Sequence, residues 1–238
     1  GVGIVGHVYT VPERRRLGAC NAVMEVQMDE FHRRGGRCLH LGTGFDSAAY
    51  HIYKRHGFGS VIPRSGFMSY FADDGFEAAY FASRPATARE VQWGDWGPLT
   101  VLTGSHDGDW LRSVAWRMEG PESFEGDFLG LRQRVADGDV TARILVTEDG
   151  ARVGVATLGR HPMWGEARLL DVLCHPNYWR DAGKLVDELP ADAKTLTYVD
   201  SDSHGKLAAL TDLGFAPEAA LPGRVQRRLR RDWRPSSP

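Results

Sequence analysis

The stretch Ile4–Met24 constrains this chain more than any other part of it. It runs through a β-branched apolar segment, a proline, three consecutive arginines, a glycine and an amphipathic helix. A strand–loop–helix turn of this kind presents backbone N–H groups and the positive end of a helix to an anion. Its glycine lets the loop backbone come close to a phosphate. The stretch therefore predicts a binding site for a phosphorylated ligand.

The charge balance argues against a general attraction to polyanions. The 238 residues include 29 basic and 31 acidic side chains, a net charge of −2. We therefore expect neither a nucleic-acid partner nor a membrane partner. The clusters Arg14–Arg16 and Arg227–Arg231 are local, and a short arginine run is usually a solvated surface.

The cysteines and the apolar runs indicate the cellular compartment. Cys20, Cys38 and Cys174 form no C-x-x-C pair, which argues against disulfides and structural zinc and favours a reducing cytoplasm. We expect no metal. No apolar run is long enough to span a membrane, and the N-terminal residues indicate a strand rather than a signal peptide.

Hydrophobic periodicity predicts the order β-α-β-α-β-β for residues 1–83. The expected strands cover Gly3–Val11, Arg37–Thr43 and two short runs within Val61–Ala72. A helix over Ala19–Arg34 buries one face, formed by Cys20, Val23, Met24, Met28 and Phe31. A second helix follows Asp46 at its N-cap, ends at Gly57, and carries a stripe of Ala49, Ile52, Tyr53 and His56.

A linker at Arg84–Ala88 separates this part from a second unit, residues 88–232. Both units are expected to be mixed α/β, with mixed sheets of the α+β kind. The second unit is predicted to contain a hairpin around the Asp149-Gly150 turn. Its strands are expected at Arg89–Trp93, Ala142–Thr147, Val153–Leu158, Ala167–Cys174, Thr195–Val199 and Val225–Leu229, and its helices at Trp110–Met118, Phe124–Val135, Arg180–Glu188 and His204–Leu213.

The two parts share an internal repeat. In the first part, a strand is followed by Val11-Pro12, then by Arg15-x-x-Gly18 and a helix. In the second part, a strand is followed by His175-Pro176, then by Arg180-x-x-Gly183 and a helix. A helix ending in Gly-Phe follows in both, at Gly57 and at Gly214. The copies share order and spacing rather than many identities.

At these residues the chain resembles the GNAT acetyltransferase superfamily. The family's cofactor motif, Gln/Arg-x-x-Gly-x-Gly/Ala after a strand, is met by Arg15 and Gly18, with Cys20 in the last small-residue position. A second family motif, Asn-x-x-Ala-x-x-Leu/Ile-Tyr-x-x-x-Gly-Phe, is met except that an aspartate replaces its asparagine. Its matching residues are Asp46, Ala49, Ile52, Tyr53, Gly57 and Phe58.

The resemblance implies that the chain binds acetyl-CoA as a co-substrate. The backbone amides of Arg16, Leu17, Gly18 and Ala19 would hold the pyrophosphate, and Arg15 would add charge. The stretch Val8, Tyr9, Thr10 and Val11 would run along the pantetheine arm and polarise the thioester carbonyl. Asp46 and Tyr53 belong to the implied cofactor site through the second motif.

The resemblance also implies catalytic residues, each with an ordinary alternative. Tyr53 lies at the position of the family's general acid, or is a core aromatic. Glu13 and His7 are candidate bases, or simply a loop charge and a strand residue. Cys20 is a small packing residue whose thiol a helix N-terminus makes more reactive. The tryptophans between Trp93 and Trp116 line an acceptor cleft, or belong to the core.

In the second copy the corresponding chemistry is weaker. Asp181 places a negative charge where a phosphate would sit, and Leu210 and Ser203 stand where the first copy has Tyr53 and Asp46. The second copy therefore resembles a degenerate GNAT domain with a structural role, and the first resembles the C-terminal part of one. This predicts an upstream segment, or a homodimer interface, covering the edge formed by Ile4–Val11.

Three functions remain open at this point. The first is an N-acetyltransferase that moves an acetyl group directly from acetyl-CoA to a small-molecule amine. The second is a non-catalytic CoA-binding or scaffold protein built on tandem domains. The third, nucleic-acid binding through the arginine clusters, is disfavoured by the balanced charge.

Overall fold

The computed structural model describes residues 1–190 and 193–220, and within them two mixed β-sheets. One sheet has four strands in the order β1-β2-β4-β3, and the other has five in the order β5-β6-β7-β8-β9. Parallel and antiparallel pairs occur in both sheets. The predicted mixed α/β class is confirmed. None of the helices in the described ranges is long and apolar enough to cross a membrane.

The first sheet confirms the predicted order β-α-β-α-β-β. Its elements are β1 Val2–Ile4, α1 Ala19–Arg33, β2 Cys38–Gly42, α2 Ala48–Arg55, β3 Gly59–Ser60 and β4 Phe67–Phe71. β1 pairs with β2 in parallel through α1, and β4 pairs with β2 and β3 in antiparallel fashion. Met24 and Met28 of α1 pack with Tyr50 and Tyr53 of α2 over Leu39 and Leu41.

Four predictions in this part are wrong in detail. β3, Gly59–Ser60, precedes the range Val61–Ala72 in which both short strands are predicted. The first strand ends at Ile4 instead of Val11, because the chain turns away at His7, which has a φ of 57°. The N-cap of α2 is Ser47, whose hydroxyl accepts from the Tyr50 N–H at 3.1 Å, and not Asp46. Val23 is 58% exposed, so the predicted buried face of α1 does not include it.

The second sheet is an antiparallel meander that ends in a parallel pair. The hairpin turns at Gly150, which has a φ of 88°, and the predicted strand Ala167–Cys174 is confirmed to the residue. Its elements are β5 Ala86–Glu90, β6 Val140–Thr147, β7 Arg152–Arg160, β8 Ala167–Cys174, α6 Gly183–Val186, β9 Lys194–Leu196 and α7 His204–Asp212. Two further helices, α4 Trp96–Thr103 and α5 Glu125–Ala136, precede β6, and α3 Phe76–Tyr80 precedes β5.

The predicted helix over Trp110–Met118 is wrong. A short 3-10 turn covers Gly108–Trp110, and an irregular loop follows, because the buried carboxylate of Asp171 organises it. Asp171 accepts from the Ser113 hydroxyl and from the Ala115 N–H, and it pairs with the buried Lys206 at 3.2 Å. Local sequence pattern cannot report such a long-range polar contact.

Other differences are smaller. The predicted linker overlaps β5, and the predicted strand Arg89–Trp93 lies three residues too late. The predicted helix over Arg180–Glu188 is a 3-10 helix, Pro176–Asp181, followed by the short α6. The predicted strand Val225–Leu229 and the cluster Arg227–Arg231 lie outside the described residues.

Helix α4 lies between the two sheets and contacts β1 and β2 on one side and β7 on the other. Its residues from Pro98 to Thr103 are all buried. A helix that is apolar on every face belongs in a core, and its lack of amphipathic periodicity hid it from the sequence prediction. Gly97 permits close contact with β1, since a Cβ there would lie 3.1 Å from the Cα of Gly3.

We predict that Leu99→Ala in α4 lowers the free energy of unfolding by about 3 kcal/mol, because it leaves a cavity between the two sheets. Leu99 is 0% exposed, whereas Leu129 of α5 is 46% exposed, so Leu129→Ala is the matched control. The control should change stability by about 0.5 kcal/mol or less. Urea denaturation of both variants measures the difference, and equal losses would contradict the central position of α4.

His40 of β2 is a second determinant of stability, because it is a buried neutral imidazole. Its ring stacks on Phe67 with centroids 5.5 Å apart, and its Nε2 has no hydrogen-bond partner in the described part of the chain. Burial, with a smaller contribution from His106, lowers the pKa of His40 to about 3. Burial likewise lowers the pKa of His175 to about 4. The ion pair with Glu77 raises the pKa of His106 instead.

These shifts predict acid sensitivity. The folded pKa of His40 lies below the unfolded value, so the unfolded chain binds the extra proton, and stability falls as the pH drops from about 6.5 towards 3. The cost is about 1.4 kcal/mol per pH unit for one such group. His106 opposes this trend, since its contribution is complete below about pH 6.5 and lost as the pH rises through its raised pKa.

We expect His40→Asn to reduce the slope of unfolding free energy against pH, between about pH 6.5 and 5, by the amount that one titrating proton contributes, about 1.4 kcal/mol per pH unit. The exposed His204 supplies a control, His204→Asn, which should keep the wild-type slope. Denaturation at several pH values measures both slopes. An unchanged slope in His40→Asn would show that His40 does not stay neutral in the folded chain.

Candidate functional site

The site begins where β1 separates from β2. The last backbone bond between the two strands runs from the Val5 N–H to the His40 carbonyl, at 2.8 Å. Beyond it, the N–H groups of Gly6 to Val11 have no hydrogen-bond partner among the described residues. A row of free donors on a segment outside any strand suits either a ligand with carbonyl groups or another strand.

The turn between this segment and α1 is shaped to receive an anion. A 3-10 turn over Pro12–Arg14 leads to two left-handed residues, Arg16 with a φ of 63° and Gly18 with a φ of 82°. In the described part of the chain, the N–H groups from Arg16 to Asn21 have no partner. Such a turn at the start of a 15-residue helix points several donors and the helix dipole toward one place.

The arginines of the turn remain available to a ligand. Arg15 is held in place, since its Nε donates to the Thr10 carbonyl at 3.0 Å and its guanidinium lies 5.9 Å from the centre of the Tyr9 ring. None of Arg14, Arg15 and Arg16 pairs with a carboxylate within residues 1–190 and 193–220. Their charge adds to the helix dipole and favours phosphate binding.

An open groove of about 1060 Å³ lies beside this turn, between the segment Gly6–Val11 and the outer side of α1. Its volume suits a large organic ligand. Its walls include all four predicted pantetheine-binding residues, Val8 to Val11, and Ala19. The wall on α1 is apolar at Val23 and Val26, which are 58% and 71% exposed. The free donors, the left-handed turn and the arginines fit a phosphorylated, amide-containing ligand.

Tyr53 belongs to the core beneath the groove and not to its wall. It is 7% exposed and packs against Phe58, with ring centroids 6.0 Å apart. Burial, and next the nearby Cys20 thiol, raise the pKa of Tyr53, so the phenol is protonated at neutral pH. Its hydroxyl makes no hydrogen bond within the described chain. Cys20, its neighbour, does line the groove.

The other predicted residues are divided between groove and surface. His7 lines the groove, whereas Glu13 is exposed on the 3-10 turn and is absent from the lining. Arg15, Arg16, Leu17 and Gly18 form the turn at its end. Asp46 is exposed and pairs with His51, at 3.0 Å between Oδ1 and Nε2. The structure thus brings the predicted phosphate and pantetheine residues together, and leaves Asp46 and Glu13 outside the groove.

Sequence reasoning missed several groove residues, namely Gly6, Ala22, Val23, Val26, Gln27 and Glu30. Val23 and Val26 carried a signal, because α1 has apolar residues on two sides. One side, with Met24 and Met28, is buried in the core, and the other faces the groove. A helix with two apolar sides indicates a second packing or binding surface.

The corresponding loop of the second sheet is built differently. Pro176–Asp181 forms a 3-10 helix, and Ala182 is right-handed, with a φ of −58°. Asp181 pairs with Lys184 at 2.5 Å, and Lys184 also donates to the Ala86 carbonyl at 3.0 Å. Asp181 and Lys184 are therefore engaged within the protein. The tryptophans also differ, since Trp93 is 59% exposed while Trp96, Trp110 and Trp116 pack against the core.

Among the described residues, no three histidine, cysteine or carboxylate side chains are grouped as a metal site would require.

No protein-family model matches the chain, and no curated protein matches it either. Among solved structures, an acetyltransferase from Trypanosoma brucei is 19% identical and covers 58% of this chain and 96% of its own, with a TM-score of 0.39. An aminoglycoside antibiotic 6'-N-acetyltransferase from Acinetobacter baumannii is 12% identical and covers 58% of this chain and 95% of its own, with a TM-score of 0.44.

A spermidine N-acetyltransferase from Vibrio cholerae, solved with CoA and spermine, is 15% identical, with a TM-score of 0.42. It covers 57% of this chain and 83% of its own. All three solved structures are named as acetyltransferases.

We predict that Gly18→Glu lowers the affinity for CoA about tenfold or more, because it places a negative charge and a strained side chain where the phosphates would bind. Gly214 is the matched control: its φ of 84° is close to that of Gly18, and a Cβ there also meets nothing within 4 Å. Gly214→Glu should lose similar stability but bind CoA normally. Calorimetric titration measures both, and normal CoA binding by Gly18→Glu would remove the turn from the site.

Proposed function

We propose that this chain is an acyl-CoA-dependent N-acyltransferase that moves an acetyl group from acetyl-CoA to a small-molecule amine. The observation that carries the proposal is the anion-binding turn at Arg16–Gly18, joined to a groove lined with free backbone donors. The sequence resemblance to GNAT enzymes supports the same activity. Their cofactor motif falls on this turn.

In this proposal the turn holds the pyrophosphate. Arg16, Leu17, Gly18 and Ala19 donate their N–H groups, and Arg15, anchored on the Thr10 carbonyl, contributes charge. The N–H groups of Val8–Val11 hold the amides of the pantetheine arm. Bound acetyl-CoA supplies the thioester whose acyl group is transferred to the amine.

Tyr53 is the proposed general acid of the transfer. Burial favours the protonated phenol, so Tyr53 holds a proton at neutral pH that it can return to a leaving thiolate. Its free hydroxyl and its position beside Cys20, a groove residue, support this role. Asp46 and Glu13 have no role in the proposal, because the first pairs with His51 and the second does not line the groove.

The two units have different roles in this proposal. The first, residues 1–83, carries the cofactor turn. The second, residues 88–232, is a degenerate copy that supports the first, since its corresponding loop is closed by the Asp181–Lys184 pair. The two share the connection of a parallel strand pair through a helix, at β1-α1-β2 and at β8-α6-β9.

A second candidate is a CoA-binding protein without turnover. The burial of Tyr53 below the groove wall favours it, because an acid must reach the leaving group. A thiol-release assay with acetyl-CoA and a panel of amines separates the two functions. CoA binding without release of thiol would support the non-catalytic protein.

We expect Tyr53→Phe to lower kcat about a hundredfold while leaving CoA affinity unchanged, because it removes one proton donor and keeps the ring. Tyr50→Phe is the control. Tyr50 lies on the same helix and is also buried, but its hydroxyl is bonded to Ser60 at 2.9 Å. Steady-state kinetics with thiol detection measure both variants. Equal turnover in Tyr53→Phe and wild type would exclude Tyr53 as the acid.

A further inference from the structure

The fork between β1 and β2 contains a carboxylate from the second half of the chain. In the parallel register, Ile4 pairs with His40, so Gly6 and Gly42 are the next residues on the same side of the two strands. Both lack a side chain, and the carboxylate of Glu125 occupies the space opposite them. A Cβ on Gly6 would lie 3.3 Å from its Oε1, and one on Gly42 would lie 3.9 Å from its Oε2.

The Glu125 carboxylate has no partner of its own. Within residues 1–190 and 193–220, no lysine, arginine or histidine pairs with it, and it accepts no hydrogen bond. It is neither fully buried nor fully exposed. A partly desolvated anion without a counter-charge favours a cationic ligand.

The protein fixes the position of this residue. The Glu125 carbonyl accepts from Trp96 Nε1 at 3.1 Å, and the Trp96 ring stacks on Phe128 with an interplanar angle of 9°. The preceding residue, Phe124, is 1% exposed. The backbone that carries Glu125 is therefore anchored to α4, the helix between the two sheets.

The helix dipole does not account for this arrangement. An acidic residue is favoured in the first turn of α5, but Asp127 supplies one as well. The dipole does not require two glycines opposite the carboxylate. Gly6, moreover, also lines the groove, so Glu125 lies next to the residue where the groove meets the fork.

We propose that Glu125 binds the ammonium group of a cationic acceptor amine at this fork and takes its proton. This role deepens the proposed function and rests on it. The second half of the chain would then supply a catalytic residue to the cofactor site of the first half. A negatively charged binding group also restricts the acceptor to amines that are protonated at neutral pH.

The proton and electron balance is complete without any further reactant. One proton of the ammonium passes to the Glu125 carboxylate. The nitrogen lone pair forms the N–C bond to the thioester carbonyl carbon, and the C–S bond breaks with its electron pair on sulfur. A second amine proton leaves the nitrogen as the amide forms and is balanced by protonation of the thiolate, for which Tyr53 is the proposed donor. Glu125 then releases its proton to solvent.

Binding tests the first part of the proposal, with 1,4-diaminobutane, tyramine and 2-deoxystreptamine as probes in the presence of CoA. Glu125→Gln keeps the shape and removes the charge, so affinity for the amine that binds wild type should fall about tenfold to hundredfold. Glu122→Gln changes an exposed carboxylate three residues earlier and should bind the amine as wild type does. Equal affinity in wild type and Glu125→Gln, or no binding of any probe by wild type, would overturn the proposal.

Kinetics test the second part. Glu125→Gln should lower kcat/KM about a hundredfold or more and remove the acid limb of its pH profile, whereas Glu125→Asp should restore part of both. Unchanged CoA affinity and thermal unfolding in Glu125→Gln show that the fold is intact. An acid limb that survives in Glu125→Gln would overturn its role as the base.

The outcomes also separate this proposal from the proposed function. Absence of thiol release in wild type, together with Glu125-dependent amine binding, would remove the transferase function and leave the cation site. Thiol release that does not depend on Glu125 would support the transferase function and remove the proposed role of Glu125.

Discussion

The burial of α4 between two sheets is the interaction on which the rest of this structure depends. Pro98 to Thr103 are enclosed on all sides, and the helix contacts β1, β2 and β7. One core cluster therefore extends from Cys38 of the first sheet to the strands of the second. Without this helix, neither sheet would have a complete apolar cover on its facing side.

The same helix links stability to the site. Gly97 meets Gly3 of β1, and Trp96 holds the Glu125 carbonyl. One buried helix, α4, thus contacts the strand pair that opens at Gly6 and also anchors the residue whose carboxylate faces the opening. The candidate site consists of groups that the described residues leave unpaired, such as the N–H donors after Val5, and these cost stability unless a ligand or another segment binds them.

Two parallel strand pairs with the same connection differ in the use of their loops. After β1 the loop is left-handed at Arg16 and Gly18, and none of its arginines pairs with a carboxylate of the described residues. After β8 the loop is right-handed at Ala182, and Lys184 is bound by Asp181. The shared connection therefore does not fix the loop, whose backbone conformation differs between the two strand pairs.

The sequence by itself determined those features that depend on neighbours along the chain. These include the helices α1 and α7, the strand β8, the turn at Gly150 and the turn at Gly18, each indicated by local periodicity or by a glycine that takes a positive φ. It could not predict α4, whose burial on every side erases amphipathic periodicity, nor the loop held by Asp171. Only the tertiary structure placed Val23 on a groove, Tyr53 beneath it and Glu125 opposite two glycines, because these positions result from contacts between segments far apart in the chain.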